Sequence, residues 1–155
     1  MSEILSFRAY ETGDRDACLG IFDANCPAWF APNERADYCE FLDRMPAGYE
    51  VVASGGRVVA AFGLLRPAAT WHLNWIMVSP DAHGRGVGRA IMQRVTSLVT
   101  GAGGGILHIG ASHRSAPFFA KFGATDVRHT HDGWGPGMHR IDMVLDVSRS
   151  GARPA

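Results

Sequence analysis

A glycine-rich loop in the middle of the chain has the composition of an anion-binding site. The loop, His83–Gly88, has the sequence HGRGVG, with glycine at three alternate positions. Glycine leaves the backbone amide groups unshielded, so a ligand can approach them closely. A helical pattern begins inside the loop, and the first amides of a helix attract anions because they are unpaired and lie at the positive end of its dipole. From the glycines alone, phosphate binding and a merely flexible connection are equally good interpretations.

Two common phosphate-binding motifs do not fit this loop. A P-loop ends in Gly-Lys-Ser or Gly-Lys-Thr, and that ending is absent here. The dinucleotide fingerprint has a different order of glycines, and it needs an acidic residue at the end of a second strand about 20 residues further on. If the loop binds phosphate, it does so outside both motifs.

A strand with polar residues at alternate positions leads into the loop. Leu73–Val78 is an apolar run with β-branched and tryptophan side chains, which predicts a strand. Side chains two residues apart share one face of a strand, so a common face is predicted for His72, Asn74, Ile76 and Val78. His72 can accept a proton near neutral pH, because the reference pKa of histidine is about 6.5, whereas Asn74 cannot. A hydrogen-bonded structural histidine at the start of the strand is the alternative.

The rest of the chain is predicted to alternate strands and helices that position these residues. Further strands are predicted at Ile4–Tyr10, Tyr49–Ala53, Val58–Leu65, Ile106–Ala111, Asp126–His131 and His139–Val147. Helices are predicted at Arg15–Ala24, after Asn33, from Val87 to Leu98 and at Ala116–Phe122. Gly55 and Gly56 predict a tight hairpin, and Asp132–Gly137 predicts a long turn. This order of elements implies a mixed sheet with helices on both faces.

Length and composition indicate one domain without a charged binding surface. The chain has 155 residues, of which 46% are hydrophobic, and its formal net charge is zero. A neutral chain offers no basic field for nucleic acid. The three cysteines, Cys18, Cys26 and Cys39, lack metal-binding spacing and indicate reduced thiols in a cytoplasmic protein. We expect no signal peptide and no membrane span, one domain over residues 1–147 and a frayed tail over residues 148–155.

The strand, loop and helix resemble the signature of the GNAT superfamily of acetyl-CoA-dependent N-acetyltransferases. In that signature a strand ends in valine and is followed by x-Pro and by a loop of Gln/Arg-x-x-Gly-x-Gly/Ala. The segment IMVSPDAHGRGVGRAIM matches at Val78, Pro80, Gly86 and Gly88. His83 stands where the family usually has glutamine or arginine, and it still offers a polar side chain.

A second block extends the resemblance over most of the chain. Ser115–Thr125, with the sequence SAPFFAKFGAT, resembles the family's Ala-x-x-Phe/Leu-Tyr-x-x-x-Gly-Phe helix. The two blocks together are more specific than either alone, and the resemblance covers roughly Phe7 to Val147. It implies an α/β (α+β) fold of three layers, with a mixed, mostly antiparallel sheet of about six to seven strands and about four flanking helices. The fourth and fifth strands are expected to splay apart.

The resemblance implies that the loop and the splayed strand bind acetyl-CoA. In the family, the amides after the first loop residue hold the pyrophosphate, and the strand backbone pairs with the pantetheine arm. The implied cofactor-binding residues are Ile76, Met77, Val78, His83, Gly84, Arg85, Gly86, Val87, Gly88, Arg89, Ser112, Ser115, Phe118, Phe119 and Phe122. Arg114 and Lys121 are further candidates for contact with phosphate groups. No metal is expected, because His129, His131 and His139 lack the spacing of a metal site.

The resemblance also assigns roles in acetyl transfer to an amine. The reaction needs a positioned thioester, a deprotonated amine, a donor for the developing oxyanion and a proton for the leaving thiolate. The amide of Val78 is the implied oxyanion donor. His72 is the expected general base, acting directly or through a water, since many members carry glutamate or histidine at the positions of His72 and Asn74. Asp132 is the alternative base.

The proton donor is the point at which this chain departs from the family pattern. The usual tyrosine corresponds here to Phe119, which has no hydroxyl group. Ser112 and His113, at the end of the next strand, are the candidates to replace it. Bulk water is a further alternative.

The acceptor site is implied by the connection between the first two helices and by the predicted turn Asp132–Gly137. The expected contacts are Trp29, Phe30, Glu34, Tyr38, Asp132 and Trp134. For Glu34, an ordinary solvated helix face is the alternative. The predicted function is acetyl transfer to a small-molecule or peptide amine, and the resemblance is compatible with a homodimer. A non-catalytic acyl-CoA-binding sensor, which Phe119 favours, and a nucleotide-binding module are the alternatives.

Overall fold

The sheet of the structure, a computed structural model, has seven strands in the order β1-β2-β3-β4-β5-β7-β6 within the described residues, 4–148. The strands are β1 (Leu5–Ala9), β2 (Tyr49–Ser54), β3 (Arg57–Leu65), β4 (Trp71–Val78), β5 (Gly105–Ser112), β6 (Thr125–Gly135) and β7 (Met138–Val147). Neighbouring strands are antiparallel except for β4 and β5, which are parallel. The predicted mixed, mostly antiparallel sheet is confirmed. The predicted frayed tail lies outside the described residues from position 149 onwards.

Four α-helices accompany this sheet within residues 4–148. They are α1 (Arg15–Ala24), α2 (Glu34–Asp43), α3 (Val87–Gly101) and α4 (Ala116–Ala120). None of the helices in this part of the chain combines the length and the apolar character needed to cross a membrane. The predicted turn at Asp132–Gly137 is shorter than expected, because β6 continues to Gly135, which pairs with Met138 of β7.

Two apolar clusters pack on opposite faces of the sheet. Alternate residues of β3 divide between them, since Phe62 belongs to one cluster and Ala61 to the other. The first, here called the α3 cluster, includes Ile91 from α3. The second, the α1–α2 cluster, includes Phe22 from α1 and Tyr38 from α2. The sheet therefore forms the middle of three layers, as predicted.

An extra residue in β4 changes the direction of its side chains. Met77 lies opposite Ala61 and Asn74 lies opposite Gly63, so β4 has one more residue than β3 between these pairs. Trp75 occupies the irregular position with a left-handed φ of 48°. These are the features of a β-bulge, which bends a strand and re-aims the side chains that follow it.

The bulge corrects the face predicted for β4. Leu73 packs in the α3 cluster, so the residues on either side of it, His72 and Asn74, face α1 and α2. Beyond the bulge, Ile76 and Val78 pack against the α3 cluster. The prediction that these four residues share one face is wrong, because the period of two does not continue through a bulge.

Aromatic side chains hold the bulge in place. The Tyr49 hydroxyl donates a hydrogen bond of 2.8 Å to the carbonyl of Trp75, and it lies 2.7 Å from the Tyr38 hydroxyl. The ring centroid of Trp75 lies 4.9 Å from that of Tyr38 and 6.3 Å from that of Phe30. A left-handed residue other than glycine costs about 1–2 kcal/mol. These contacts offset that strain, and they make Tyr38 a buried core residue.

Replacing Tyr49 with phenylalanine is expected to lower the free energy of unfolding by about 1–3 kcal/mol, because the change leaves the carbonyl of Trp75 without its hydrogen-bond donor. The hydroxyl of Tyr38 also loses one partner, although it keeps its hydrogen bond with Cys18. Denaturant unfolding at constant pH measures the effect. Tyr10→Phe is the matched control, since Tyr10 is also buried and its hydroxyl has no hydrogen-bond partner within residues 4–148. Equal losses in both variants would show that the hydroxyl pair does not support the bulge.

Candidate functional site

The parallel strands β4 and β5 separate and open a cleft. They pair only between Trp71–Leu73 and Leu107–Ile109. The cleft beyond these residues has a volume of about 1430 Å³, and its lining comes from β4, the glycine loop, α4, β5, β6 and β7. The predicted splay between the fourth and fifth strands is confirmed. Backbone groups of β4 that face β5 after Leu73 are therefore left without a strand partner.

The backbone of Val78 points into this cleft. Val78 lies opposite Ala60 in β3, and the next amide, of Ser79, donates to the carbonyl of Val59 at 2.8 Å. In an antiparallel ladder this pattern makes Val78 and Ala60 a pair that exchanges no hydrogen bonds. The amide and carbonyl groups of Val78 consequently point away from β3, towards the separated strand.

Side chains from two other segments bind the carbonyl of Val78. The carbonyl accepts hydrogen bonds from Nδ2 of Asn25, at 3.0 Å, and from Nε2 of His83, at 2.8 Å. The amide of Val78 has no partner within residues 4–148. Of the two polar groups, only the hydrogen-bond donor is therefore left for a ligand. His83, predicted to contact the cofactor, lines the cleft while it supports the end of the strand.

The glycines of the loop leave open space in front of their backbone. Gly84 and Gly86 have left-handed φ values of 76° and 84°, and a Cβ atom at either position would have no heavy atom within 4 Å. Gly88 has a different role, because a Cβ atom there would lie 3.0 Å from the ring of Phe118. The first two glycines thus leave access to the amides, and the third allows α3 to pack closely on α4.

The amides at the start of α3 are unpaired. The first hydrogen bond inside the helix runs from the amide of Ala90 to the carbonyl of Gly86, at 3.0 Å. Within residues 4–148, no carbonyl or side chain accepts a hydrogen bond from the amides of Gly84, Gly86, Val87, Gly88 and Arg89. Unpaired amides at a helix start fit a diphosphate, since they donate hydrogen bonds and lie at the positive end of the dipole.

The predicted residues around α4 form the opposite wall of this end of the cleft. Phe118, Phe119 and Phe122 all line it, and Phe119 is 2% exposed. Oγ of Ser112 accepts hydrogen bonds from the amides of Arg114 and Ser115, each at 3.1 Å. Oγ of Ser115 in turn accepts the amide of Ser112 at 3.0 Å. The two serines line the cleft and also fix the start of α4.

Two histidines stack at the other end of the cleft. His72 of β4 lies beside His108 of β5, with ring centroids 5.2 Å apart and planes 23° from parallel. Burial lowers the pKa of His72 below its ordinary value, and the charge of His108 lowers that pKa further. A lowered pKa keeps His72 neutral at pH 7, in the form that can accept a proton. Asn74, the next residue on this face, also lines the cleft.

Glu34 forms part of the wall contributed by the connection between α1 and α2. Its Oε2 accepts a hydrogen bond of 2.8 Å from the amide of Ala31, and the residue is 6% exposed. Burial raises the pKa of Glu34 to about 7; the hydrogen bond from Ala31 opposes this shift and the charge of Asp37 adds to it. Burial excludes the alternative of a solvated helix face at this position. Trp29 and Phe30 line the cleft beside it.

The wild type is expected to lose stability between pH 5 and pH 8, because the buried carboxylate of Glu34 ionises over this range. Glu34→Gln should remove this loss, so that the free energy of unfolding of the variant, relative to the wild type, is about 1–3 kcal/mol higher at pH 8 than at pH 5. The protonated form of Glu34 contributes stability that is fully present below the ordinary pKa of 4.5 and is lost as the pH rises through about 7. Unfolding measured against pH tests this. Glu40→Gln, on the exposed side of α2, is the control and should not change the pH profile. A profile of Glu34→Gln identical to that of the wild type would contradict the burial of this charge.

Arg140 of β7 is fixed against Trp134 of β6. Its Nε donates to Oδ1 of Asp142 at 2.9 Å, and its guanidinium carbon lies 4.4 Å from the ring centroid of Trp134. The indole N–H of Trp134 donates to the carbonyl of Ala111 at 2.8 Å. A Cβ atom on Gly110 would lie 3.2 Å from the Trp134 ring, so glycine allows this packing. Arg140, Trp134 and Asp142 all line the cleft.

Two predicted catalytic residues lie away from the cleft. His113 lines a separate depression together with His131 and His139, whose ring centroids are 4.6 Å apart. His139 alternates with Arg140 along β7 and therefore faces the opposite side of the sheet. Oδ1 of Asp132 accepts a hydrogen bond of 2.8 Å from the amide of Gly137, across the β6–β7 turn. The structure thus brings neither His113 nor Asp132 to His72.

The histidines of the separate depression give no support for a metal. One ligand atom from each of His131, Asp132 and His139 lies within 4.8 Å of the others. However, Nδ1 of His139 accepts a hydrogen bond of 3.0 Å from the amide of Asp132. A neutral imidazole has one acceptor nitrogen, and this bond uses it. We therefore assign no metal to this cluster.

Three polar residues that shape the chemistry of the cleft, His108, Arg140 and Asn25, were not predicted from the sequence. His108 and Arg140 are polar residues at positions that alternate with buried ones in apolar strands, and this pattern was a usable signal. Asn25 gave no comparable signal. It directly follows the predicted helix Arg15–Ala24, and its hydrogen bond to Val78 joins positions 53 residues apart.

Comparison with known sequences places the chain beside a family of acyl-transferring enzymes. A sequence model of the acetyltransferase (GNAT) family matches residues 18–124. A search of curated proteins found no significant match. The matched segment runs from α1 to the residue before β6, and so includes the splayed strands and the glycine loop.

Several solved structures share the fold over almost the whole chain. The ribosomal-protein-S18-alanine N-acetyltransferase from Escherichia coli is 19% identical, with a TM-score of 0.77, and covers 98% of this chain and 99% of its own. The protein yncA from Salmonella typhimurium, solved with its cofactor acetyl-CoA, is 16% identical, with a TM-score of 0.67 and coverage of 98% and 99%. N-acetylglutamate synthase from Neisseria gonorrhoeae, complexed with coenzyme A and N-acetyl-glutamate, is 17% identical, with a TM-score of 0.74 and coverage of 96% and 36%. At these identities the likeness shows the fold.

Proposed function

Since the chain belongs to the acetyltransferase (GNAT) family, we propose that it moves the acetyl group of acetyl-CoA to the primary amine of a small molecule or peptide by direct attack in a ternary complex. The observation that carries this proposal is the set of unpaired amides at Gly84 and at Gly86–Arg89, beside the open edge of β4. Such a site suits a ligand with a diphosphate and an extended arm that pairs with a strand edge. The names of two structural relatives, which mention acetyl-CoA and coenzyme A, give further support.

The residues present fit acetyl-CoA. The loop amides would hold its diphosphate, the backbone of Ile76–Val78 would pair with its extended arm, and Phe118 and Phe122 would pack along it. Arg89 and Lys121 line the same end of the cleft and offer positive charge to phosphate groups. Acetyl-CoA, when bound, supplies the acetyl group as an activated thioester.

The chemistry of the amine is assigned to β4. An imidazole nitrogen of His72 takes a proton from the attacking amine, directly or through a water, because the lowered pKa keeps that ring neutral. The amide of Val78, which has no partner within residues 4–148, would donate a hydrogen bond to the acetyl oxygen as negative charge develops on it. Asn74 lies on the same face as His72 and is proposed to orient the amine or the water.

Proton supply to the departing thiolate falls to Ser112 or to solvent. The residue at the position of the family's tyrosine is Phe119, which has no hydroxyl group. Of the two predicted substitutes, Ser112 lines the cleft and His113 lies in the separate depression. We therefore retain Ser112 and water as the proton sources.

Coenzyme A binding and thiol release test the proposal together. We expect coenzyme A to raise the melting temperature of the protein more than an equal concentration of ATP does, because the arm adds contacts that ATP lacks. We also expect release of thiol from acetyl-CoA with at least one member of a panel of primary amines. Greater stabilisation by ATP, without thiol release, would favour a nucleotide-binding module instead.

A non-catalytic sensor is the second candidate, and the phenylalanine at position 119 favours it. Such a protein would bind acetyl-CoA tightly and release no thiol with any amine. Phe119→Tyr discriminates between the two readings. In an enzyme limited by proton supply to the thiolate, the new hydroxyl group should raise kcat, whereas a sensor should stay inactive.

A further inference from the structure

Arg140 presents two unused donor groups to the cleft. Its Nε is bound to Asp142 and its flat face packs on Trp134, but within residues 4–148 no group accepts a hydrogen bond from Nη1 or Nη2. The side chain remains 40% exposed. A guanidinium group held in this way is pre-organised for an anion, because its free edge matches the two oxygens of a carboxylate.

The free edge of Arg140 lies on the same face of the sheet as the stacked histidines. Nη2 lies 3.7 Å from the Cβ position of Gly110, and Gly110 is two residues from His108 along β5. Two residues of a strand span about 7 Å, and their side chains share one face. His72 stacks on His108 at 5.2 Å. An anion site and a proton-accepting site therefore lie side by side at a spacing comparable with one small molecule.

We propose that the acceptor is an aminocarboxylate, namely an α-amino acid or a close homologue. This inference rests on the proposed acetyl transfer and narrows its substrate class. The carboxylate binds the Nη edge of Arg140, and the amine points to His72 and Asn74, with one hydrogen-bonded contact at each end. The amine keeps its lone pair for the acetyl carbon, and its proton passes to His72. A carboxylate or a related acidic group is therefore a requirement for efficient turnover.

The acidic groups that line the cleft agree with this orientation. Glu34 and Asp142 are its acidic residues within residues 4–148. Asp142 is occupied by Nε of Arg140, and Glu34 lies on the wall contributed by the α1–α2 connection. Trp29, Phe30 and Trp134 add apolar surface to the walls. The acceptor that fits best carries an apolar or aromatic side chain.

Matched substrates test the requirement for a carboxylate in the wild-type protein. L-phenylalanine, L-phenylalaninamide and phenethylamine share the amine and the aromatic body and differ only in the group next to the amine; L-methionine and its amide form a second set. Thiol release is compared at equal concentrations of the deprotonated amine, because loss of the carboxylate changes the pKa of the amine. We expect kcat/KM to be about 10- to 100-fold higher for the carboxylates. Equal or higher values for the uncharged amines would overturn the inference and leave the proposed acetyl transfer intact.

Arg140 variants then locate the preference. Arg140→Gln should lower kcat/KM for the amino acids by about 10- to 100-fold, mainly through KM, and leave the values for the amides almost unchanged. Arg140→Lys keeps the positive charge and most of the aliphatic stem, so it should lower kcat/KM for the amino acids by a smaller factor. Arg44→Gln is the control, since Arg44 pairs with Glu40 on the exposed surface of α2. An equal loss for carboxylates and amides would show that Arg140 only supports the fold.

A binding measurement keeps the inference testable if no amine is acetylated. Calorimetry with the coenzyme A-loaded protein compares N-acetyl-L-phenylalanine with its carboxamide. Tighter binding of the carboxylate in the wild type, lost in Arg140→Gln, would support the anion site even though the proposed catalysis had failed. No difference between the two ligands would overturn it.

Discussion

Gly86→Val is expected to lower the affinity for coenzyme A by about 100-fold or more, because several amide-to-phosphate hydrogen bonds are lost together. Gly86 precedes the first residue of α3 and has a left-handed φ of 84°. The Cβ atom of valine would extend into the open space in front of the amides. It would thus occupy the position proposed for the diphosphate, and its branched side chain would also disfavour the left-handed backbone. Calorimetric titration with coenzyme A measures the affinity.

Gly56→Val is the control that separates the effect of backbone strain from the effect of blocking the loop amides. Gly56 lies in the β2–β3 turn with a φ of 82°, and a Cβ atom there would also have no heavy atom within 4 Å. It therefore suffers a similar backbone strain at a position outside the glycine loop. We expect Gly56→Val to lose stability but to keep its affinity for coenzyme A. Unchanged affinity in a folded Gly86→Val protein would refute the assignment of the loop to phosphate.

His72→Ala is expected to lower kcat by about 100- to 1,000-fold, the range typical of a lost general base. Coenzyme A affinity should stay unchanged, since His72 lies at the other end of the cleft. In the wild type the rate should rise with pH through the pKa of His72, because the neutral ring is the active form. That pKa is held below its ordinary value by burial and by His108, so the rise should lie at lower pH than the titration of an ordinary histidine. His72→Ala should lose this part of the pH profile.

His108→Asn tests the cause of the lowered pKa. Removing the neighbouring imidazole removes the charge that lowers the pKa of His72, so the rise in rate should move to higher pH. The variant should keep substantial activity, because His72 is still present. A pH profile unchanged by both His72→Ala and His108→Asn would assign the base to water or to another residue.

The sequence alone was sufficient for the fold and for the loop that we propose to bind the cofactor. Local patterns of hydrophobic residues and glycine, each only a few positions long, predict the strand Leu73–Val78, the glycine loop and the helix after it. Their resemblance to a known family then implied the splayed sheet that the pairing of β4 and β5 confirms. The unpaired amides from Gly86 to Arg89 follow from the same local cause, because a helix start cannot pair its own first amides.

The arrangement at the end of the cleft proposed for the acceptor was decided by the tertiary structure. The bulge at Trp75 turns His72 away from Val78, and it is stabilised by Tyr49, which is far away in the chain. The stacking of His72 on His108 and the position of Arg140 likewise depend on pairing between distant strands. Local periodicity does not show where a bulge reverses the direction of the side chains, or which strands become neighbours in the sheet. For that reason the sequence was sufficient to locate the loop to which we assign the diphosphate, whereas only the folded chain brought together the polar groups that we propose to meet the amine.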